Sequence, residues 1–170
     1  MFAGKTTELQ NRVRELQETK RVLVVSHASD TRYGVSKIIS HDEVEMPCVA
    51  VEELKISLVA GYDAVAVDEG QFFTGLRAFV EECKARGIHV IVAGLDLDLA
   101  GEPFGEMLDV AYLPGAVVRH HAAECGECGG EAYFSECLTG EGGIGGADKY
   151  EPRCAEHFSG KTDMAYKAHL

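Results

Sequence analysis

Three short runs, Arg21-Val-Leu-Val-Val-Ser26, Asp63-Ala-Val-Ala-Val-Asp68 and Ile88-His-Val-Ile-Val-Ala93, constrain the fold of this chain more than any other feature. Each is a stretch of β-branched and small apolar residues with no alternating polar face, and strands of that kind lie in sheets covered on both sides. Between the second and third, Leu76, Phe79, Val80 and Cys83 recur at helical spacing from Gly75 to Arg86, and Gly87 ends the segment. A strand, a helix and a strand with short connections pair in parallel through a right-handed crossover. The expected class is α/β, a parallel nucleotide-binding sheet with helices on both faces. Residues 51–61 read as a further short helix, and Cys83 as core.

The chain starts with Met1-Phe-Ala-Gly4-Lys5-Thr6-Thr7, the second half of the phosphate-loop pattern G-x-x-x-x-G-K-[ST]. Backbone N–H groups through Gly4 and Lys5 can cradle phosphate oxygens, the Lys5 ammonium can reach terminal phosphates, and the Thr6 hydroxyl can ligate magnesium. Glu8 to Lys20 suits the helix such a loop leads into, because Leu9, Val13 and Leu16 share a face. Taken alone, Gly-Lys-Thr also fits an ordinary helix entrance.

A second block, Asp68-Glu-Gly-Gln-Phe-Phe73, closes an apolar strand. Acids at the carboxyl end of a parallel strand sit at the mouth where α/β sheets bind ligands. Asp68 is the natural magnesium partner of Thr6, and Glu69 can face a second substrate as a proton acceptor. The competing reading is that both acids cap the following helix. Phe72 and Phe73 weigh against it, since one ring stacking on a base explains two aromatics beside two carboxylates.

Twenty-eight acidic against sixteen basic residues give a net charge of −12, which excludes a sequence-independent grip on nucleic acid. No stretch of about eighteen apolar residues offers a membrane span, and no charged-then-apolar leader is visible, so a cytoplasmic protein is expected. There the six cysteines read as thiols or metal ligands rather than disulfides. Cys125-Gly-Glu-Cys128 and Cys154-Ala-Glu-His157 each carry a two-residue gap, and together they form a Cys3His set suited to a closed, structural zinc site. Cys48 and Cys137 have no such partner, and His120 and His121 read as linker. Past Pro114 glycine and cysteine become frequent and long apolar strands cease. The 170 residues divide into a sheet domain, 1–118, and a loop-rich zinc domain, 119–170.

These blocks, with Asp30-Thr-Arg-Tyr-Gly34, Gly101-Glu-Pro-Phe-Gly105 and Gly145-Gly-Ala-Asp-Lys-Tyr150, occur in the order seen in zinc-containing thymidine kinases, and the resemblance spans Met1 to about Phe158. It implies a kinase that moves the γ-phosphate of ATP to the 5′-hydroxyl of thymidine, and of deoxyuridine, as a homotetramer. By the same resemblance, ATP and its magnesium engage Met1, Phe2, Ala3, Gly4, Lys5, Thr6, Asp30, Arg32, Asp68 and Gln71. Glu69 takes the hydroxyl proton, and Arg32 steadies charge on the transferring phosphoryl group. The thymine slot is formed by Met1, Phe72, Leu95, Leu99 and Phe104. A lasso through Glu141, Gly142, Gly143, Ile144 and Gly145 reads the base edge with its backbone, and Tyr150 closes it. The zinc set Cys125, Cys128, Cys154 and His157 anchors both ends of the lasso.

The sequence departs from the family in four places. Leu99 replaces a phenylalanine that packs on the base, Cys137 stands where the animal enzyme has arginine, and the lasso is short. The first loop glycine is absent, and with it the strand before the loop. The chain as written is therefore expected to be the truncated product of a longer gene, poorly soluble or weakly active until about ten residues ending in Gly-Pro are restored. The alternatives are an impaired nucleotide-binding remnant and a kinase for another deoxynucleoside.

Overall fold

The computed structural model describes residues 2–30, 37–39, 44–139 and 149–159. Its centre is a four-stranded, wholly parallel sheet in the order β4, β1, β5, β6, built from β1 (Val22–His27), β4 (Val49–Val51), β5 (Ala64–Val67) and β6 (His89–Val92). All four β5 residues are fully buried. This central strand carries the Asp68 block at its carboxyl end. The three expected strands are present within a residue or so at each end.

Helix α1 (Lys5–Gln17) covers one face, where Leu9 and Val13 meet Val24, Ala66, Ile38 and Met46. Helix α2 (Leu76–Ala85) covers the other, where Leu76, Phe79, Val80 and Cys83 meet Leu23, Val25, Val65 and Val67. The two faces of β5 thus feed two separate apolar layers, the arrangement its continuous apolar run requires. Cys83 is fully buried there, and burial pushes its thiol up to about 11.

Helix α1 begins three residues earlier than its apolar spacing indicates. Gly4 turns the chain in the left-handed region, φ +69°, so that Lys5 is already helical. Residues 51–61 are corrected more fully. Val51 ends β4, and only Ile56–Val59 forms a single 3₁₀ turn, flanked by the extended residues Lys55 and Ala60. Antiparallel β2 (Lys37–Ile39) and β3 (Glu45–Pro47) add a small hairpin beside α1. The short helix α3 (Met107–Ala111) packs on α2, and Glu106 just before it accepts hydrogen bonds from the backbone N–H groups of Gly75 and Arg77, capping α2 from outside.

Beyond residue 122 the elements are short antiparallel pairs: β7 (Ala123–Glu124) with β8 (Glu131–Ala132), and β9 (Phe134–Cys137) with β10 (Tyr150–Arg153). One small buried cluster, Ala123, Cys125 and Ala132, has Phe2, Ala3 and Cys154 packed against it, and Tyr150 of β10 is buried apart from that cluster. Arg119 ties the connecting segment back to α1 through Glu8 at 3.2 Å.

Candidate active site and metal centre

The first hydrogen bond of α1 runs from the Glu8 N–H to the Gly4 carbonyl at 3.0 Å, so the N–H groups before Glu8 lie outside the intrahelical ladder. That end of a helix favours anions. Phe2 and Glu69 are the two non-glycine residues with positive φ among the described residues, at +56° and +53°. One lies in the phosphate loop and the other directly after β5, where strained backbone marks sites of function.

Asp68 is 6% exposed, and its N–H donates to the Val25 carbonyl at 2.9 Å, extending the β1–β5 ladder past the strand end. A buried carboxylate is one of the oxygen donors magnesium takes. Glu69 occupies the N-cap position of the 3₁₀ turn Gly70–Phe72, yet its side chain makes no capping hydrogen bond. The competing cap reading of Glu69 therefore fails. Its carboxylate instead accepts a hydrogen bond from Gln71 Nε2 at 2.6 Å.

The two phenylalanines separate in role. Phe73 is 1% exposed and belongs to the core under α2, whereas Phe72 is half-buried and meets Phe104 edge-to-face at 5.6 Å. Phe104 is presented by a compact loop. Its N–H bonds to the Asp96 carbonyl, and the Asp98 carboxylate gathers the N–H groups of Ala100 and Glu102. Leu95 and Leu99, both partly buried, belong to the same loop. His27, at the end of β1, packs its ring against Phe73 at 4.8 Å and accepts from the Ser29 N–H on Nδ1. Residue spacing carries no sign of this last contact. Met1, Arg32 and the lasso residues Glu141 to Gly145 lie outside the described residues.

In the metal centre, the ligand atoms of Cys125, Cys128, Cys154 and His157 all lie within 4.8 Å of one another. Cys128 Sγ is 3.8 Å from Cys154 Sγ, Cys125 Sγ is 3.8 Å from His157 Nδ1, and Cys154 Sγ is 3.1 Å from the same nitrogen. A tetrahedral zinc ion about 2.3 Å from each sulfur sets its ligands about 3.8 Å apart, so the set fits. Burial works against the Cys125 thiolate, but N–H donors from Cys154, Cys128 and Glu127 outweigh it and bring the thiol down to about 6. An N–H from Gly130 favours the Cys128 thiolate, yet burial and hydrogen bonding to Cys125 and Cys154 hold this second thiol above its ordinary value. Crowded thiols that cannot all ionise together are what a divalent cation relieves.

The β9–β10 pair forms a stem whose pairing continues past both strands. Leu138 donates to the Lys149 carbonyl at 2.8 Å, Cys137 faces Tyr150 in register, and Tyr150 is 4% exposed at the root. Below it, Arg153 is buried among Glu151 at 2.7 Å, Glu136 at 2.9 Å and Glu127 at 3.4 Å, joining the stem to the Cys-x-x-Cys turn. Charge alone could have hinted at this brace, since Arg153 is the only cation between the two metal-ligand pairs apart from Lys149.

The profile of the thymidine kinase family matches residues 1–158. A thymidine kinase of Oryza sativa subsp. japonica is 39% identical over 93% of this chain, which spans 63% of that relative's length. One from Coprothermobacter proteolyticus is 38% identical over 98% of this chain and 91% of its own. The cytosolic thymidine kinase of Homo sapiens is 39% identical over 91% of this chain and 68% of its own.

Proposed function

The chain belongs to the thymidine kinase family, and we propose that it transfers the γ-phosphate of ATP to the 5′-hydroxyl of thymidine, giving thymidine monophosphate and ADP. The observation that carries this reading is the mouth of the sheet, where Glu69 is held by Gln71 one residue before the Phe72–Phe104 edge pair. A carboxylate beside an aromatic slot suits a nucleoside whose ring is gripped while its hydroxyl is deprotonated.

In this mechanism Lys5 and the backbone from Phe2 to Gly4 hold the phosphates. The thymine ring lies against Phe72, Leu95, Leu99 and Phe104, with Met1 completing the slot. Glu69 accepts the 5′-hydroxyl proton as that oxygen bonds to the γ-phosphorus and the bond to the ADP oxygen breaks. Arg32 and Asp30 flank the phosphates, with Arg32 opposing the charge that builds on the transferring group. Magnesium, held by Thr6 and Asp68, would supply charge neutralisation between the phosphate oxygens. Zinc on the Cys3His set gives the lasso fixed ends, so that Glu141 to Gly145 can read the base edge and Tyr150 can close over the nucleoside.

The reading extends to two units, residues 1–118 for phosphate transfer and 119–170 for closing over the nucleoside, and to a homotetramer. Tyr112 and Val117, 85% and 86% exposed, offer apolar surface for such assembly. The reading places its action in the cytoplasm; no helix among the described residues is long and apolar enough to cross a membrane.

The test is Glu69→Gln, which keeps the shape and removes the basicity. Turnover of thymidine should fall by roughly 10² or more with the melting temperature unchanged. Turnover within about threefold of the parent would end the base assignment.

A further inference from the structure

We propose that Gln71 is the positioning residue of the reaction, a single side chain that fixes the Glu69 carboxylate to the wall of the nucleoside slot. The inference rests on Glu69 acting as the base.

Gln71 sits in the middle of the 3₁₀ turn Gly70–Phe72 and is 4% exposed. The Leu95 backbone N–H donates to its Oε1 at 3.0 Å. A backbone N–H can only donate, so the amide atom that receives it is the oxygen, and the other end must be the NH2 group. That group donates to Glu69 Oε2 at 2.6 Å, a charge-assisted contact. The orientation of the amide is thus set by its partners, and both ends are committed to the protein. Gln71 accordingly serves ATP and magnesium indirectly, through Glu69.

The seat of this side chain is built by two glycines. A Cβ on Gly94 would lie 2.5 Å from Gln71 Oε1, and a Cβ on Gly105 would lie 2.3 Å from the Gln71 backbone oxygen. Gly105 closes the block Gly101-Glu-Pro-Phe-Gly105, which carries Phe104, and Gly94 precedes Leu95. The loop that presents the slot residues therefore lies directly on Gln71, and its Leu95 N–H is the bond that steers the amide. Glu69 itself is held at φ +53°, a conformation a glutamate leaves readily unless neighbouring contacts define it. One bridge thereby couples the position of the slot wall to the aim of the base. Misplacing a reacting group by about 1 Å can cost about 10²-fold in rate.

Two variants separate this role from its rivals. Gln71→Glu keeps an acceptor for the Leu95 N–H but puts a repelling oxygen where Glu69 needs a donor. Gln71→Met removes both bonds at similar volume. Steady-state kinetics with ATP and thymidine should show kcat reduced at least about 10²-fold in Gln71→Glu and about tenfold in Gln71→Met, with the KM for ATP within about threefold in both. In Gln71→Met the KM for thymidine should also rise as Leu95 is released, which Gln71→Glu should not show. Unchanged kcat in Gln71→Glu overturns the proposal, as does a KM for ATP raised tenfold with kcat kept, the mark of a direct cofactor contact. Loss of cooperative melting in both variants also overturns it, because Gln71 would then be a core brace. Glu69→Gln, assayed beside them, keeps the two readings apart: if it is inactive while Gln71→Glu is active, the positioning role alone fails, and if it is active, the base reading fails.

Discussion

The four-stranded sheet and the hairpins around the metal set are held by different forces. In the sheet, Val65, Val67, Leu76 and Cys83 are fully buried, and two apolar layers enclose β5. Around the metal set, the buried apolar residues of the described hairpins shrink to Ala123, Cys125, Ala132 and Tyr150. At about 25 cal/mol per Å² of buried apolar surface, three small side chains and one tyrosine cannot offset the entropy of ordering four strands and their turns. The ion pairs of Arg153 brace that part, and a metal on the Cys3His set would add ligand bonds to them. The part that carries Asp68 and Glu69 thus holds its shape by burial, while the β7–β10 part would owe its shape to a metal that joins its ligands.

Removing zinc attacks that contrast directly and has the largest expected effect. Metal analysis of dialysed protein should give one zinc per chain. Chelation, or Cys128→Ser, should abolish amide-exchange protection in β7 to β10 while β5 and β6 keep theirs, and thymidine turnover should fall by about 10² or more. Equal loss of protection in both parts would break the contrast, and less than about a third of an equivalent of zinc in folded protein would remove its basis.

Thiol reactivity sharpens the contrast next. In zinc-free protein at pH 7.5 or so, Cys125 should alkylate at least about 10²-fold faster than Cys83, because its segment opens once the ligands are parted, while Cys83 stays enclosed in the core, where burial pushes its thiol up to about 11. In the opened segment, labelling of Cys125 should slow about tenfold per pH unit below the ordinary thiol range. Mass-spectrometric rates that rank Cys83 first would contradict the burial argument.

The smallest effect is the one an apolar core predicts for itself. Leu76→Ala should cost about 2–5 kcal/mol in denaturant unfolding of the sheet part and leave zinc content unchanged. Coincident loss of zinc would mean that the two parts fold as one.

Much of this division was legible in the residues. The runs at Val22–His27, Ala64–Val67 and His89–Val92 have no polar face to mislead the reading, and the paired gaps at Cys125 and Cys154 need only local geometry. Val49–Val51 was hidden because a three-residue strand between Pro47 and two glutamates has too little length to show a period. The same shortness concealed the hairpins of the metal part. The reading of 51–61 as helix failed because Val51, Leu54 and Leu58 are spaced as on a helix face, whereas extended backbone at Lys55 and Ala60 allows one 3₁₀ turn between them. The bridge through Gln71 was invisible for another reason. A glutamine gives no hint of where its amide points until residues 69 and 95 are brought to it by the fold.

Phe2 and Ala3, in the phosphate loop, rest against Ala123, Cys125 and Ala132. The wall behind the loop is therefore supplied by the region that carries the Cys3His set, whose order a bound metal would secure. Linkage between two such sites is reciprocal. Whatever zinc contributes to the grip on phosphate, a phosphate held by the loop must return as a tighter hold on the metal, so the zinc affinity measured against a competing chelator becomes a gauge of how full the nucleotide site is.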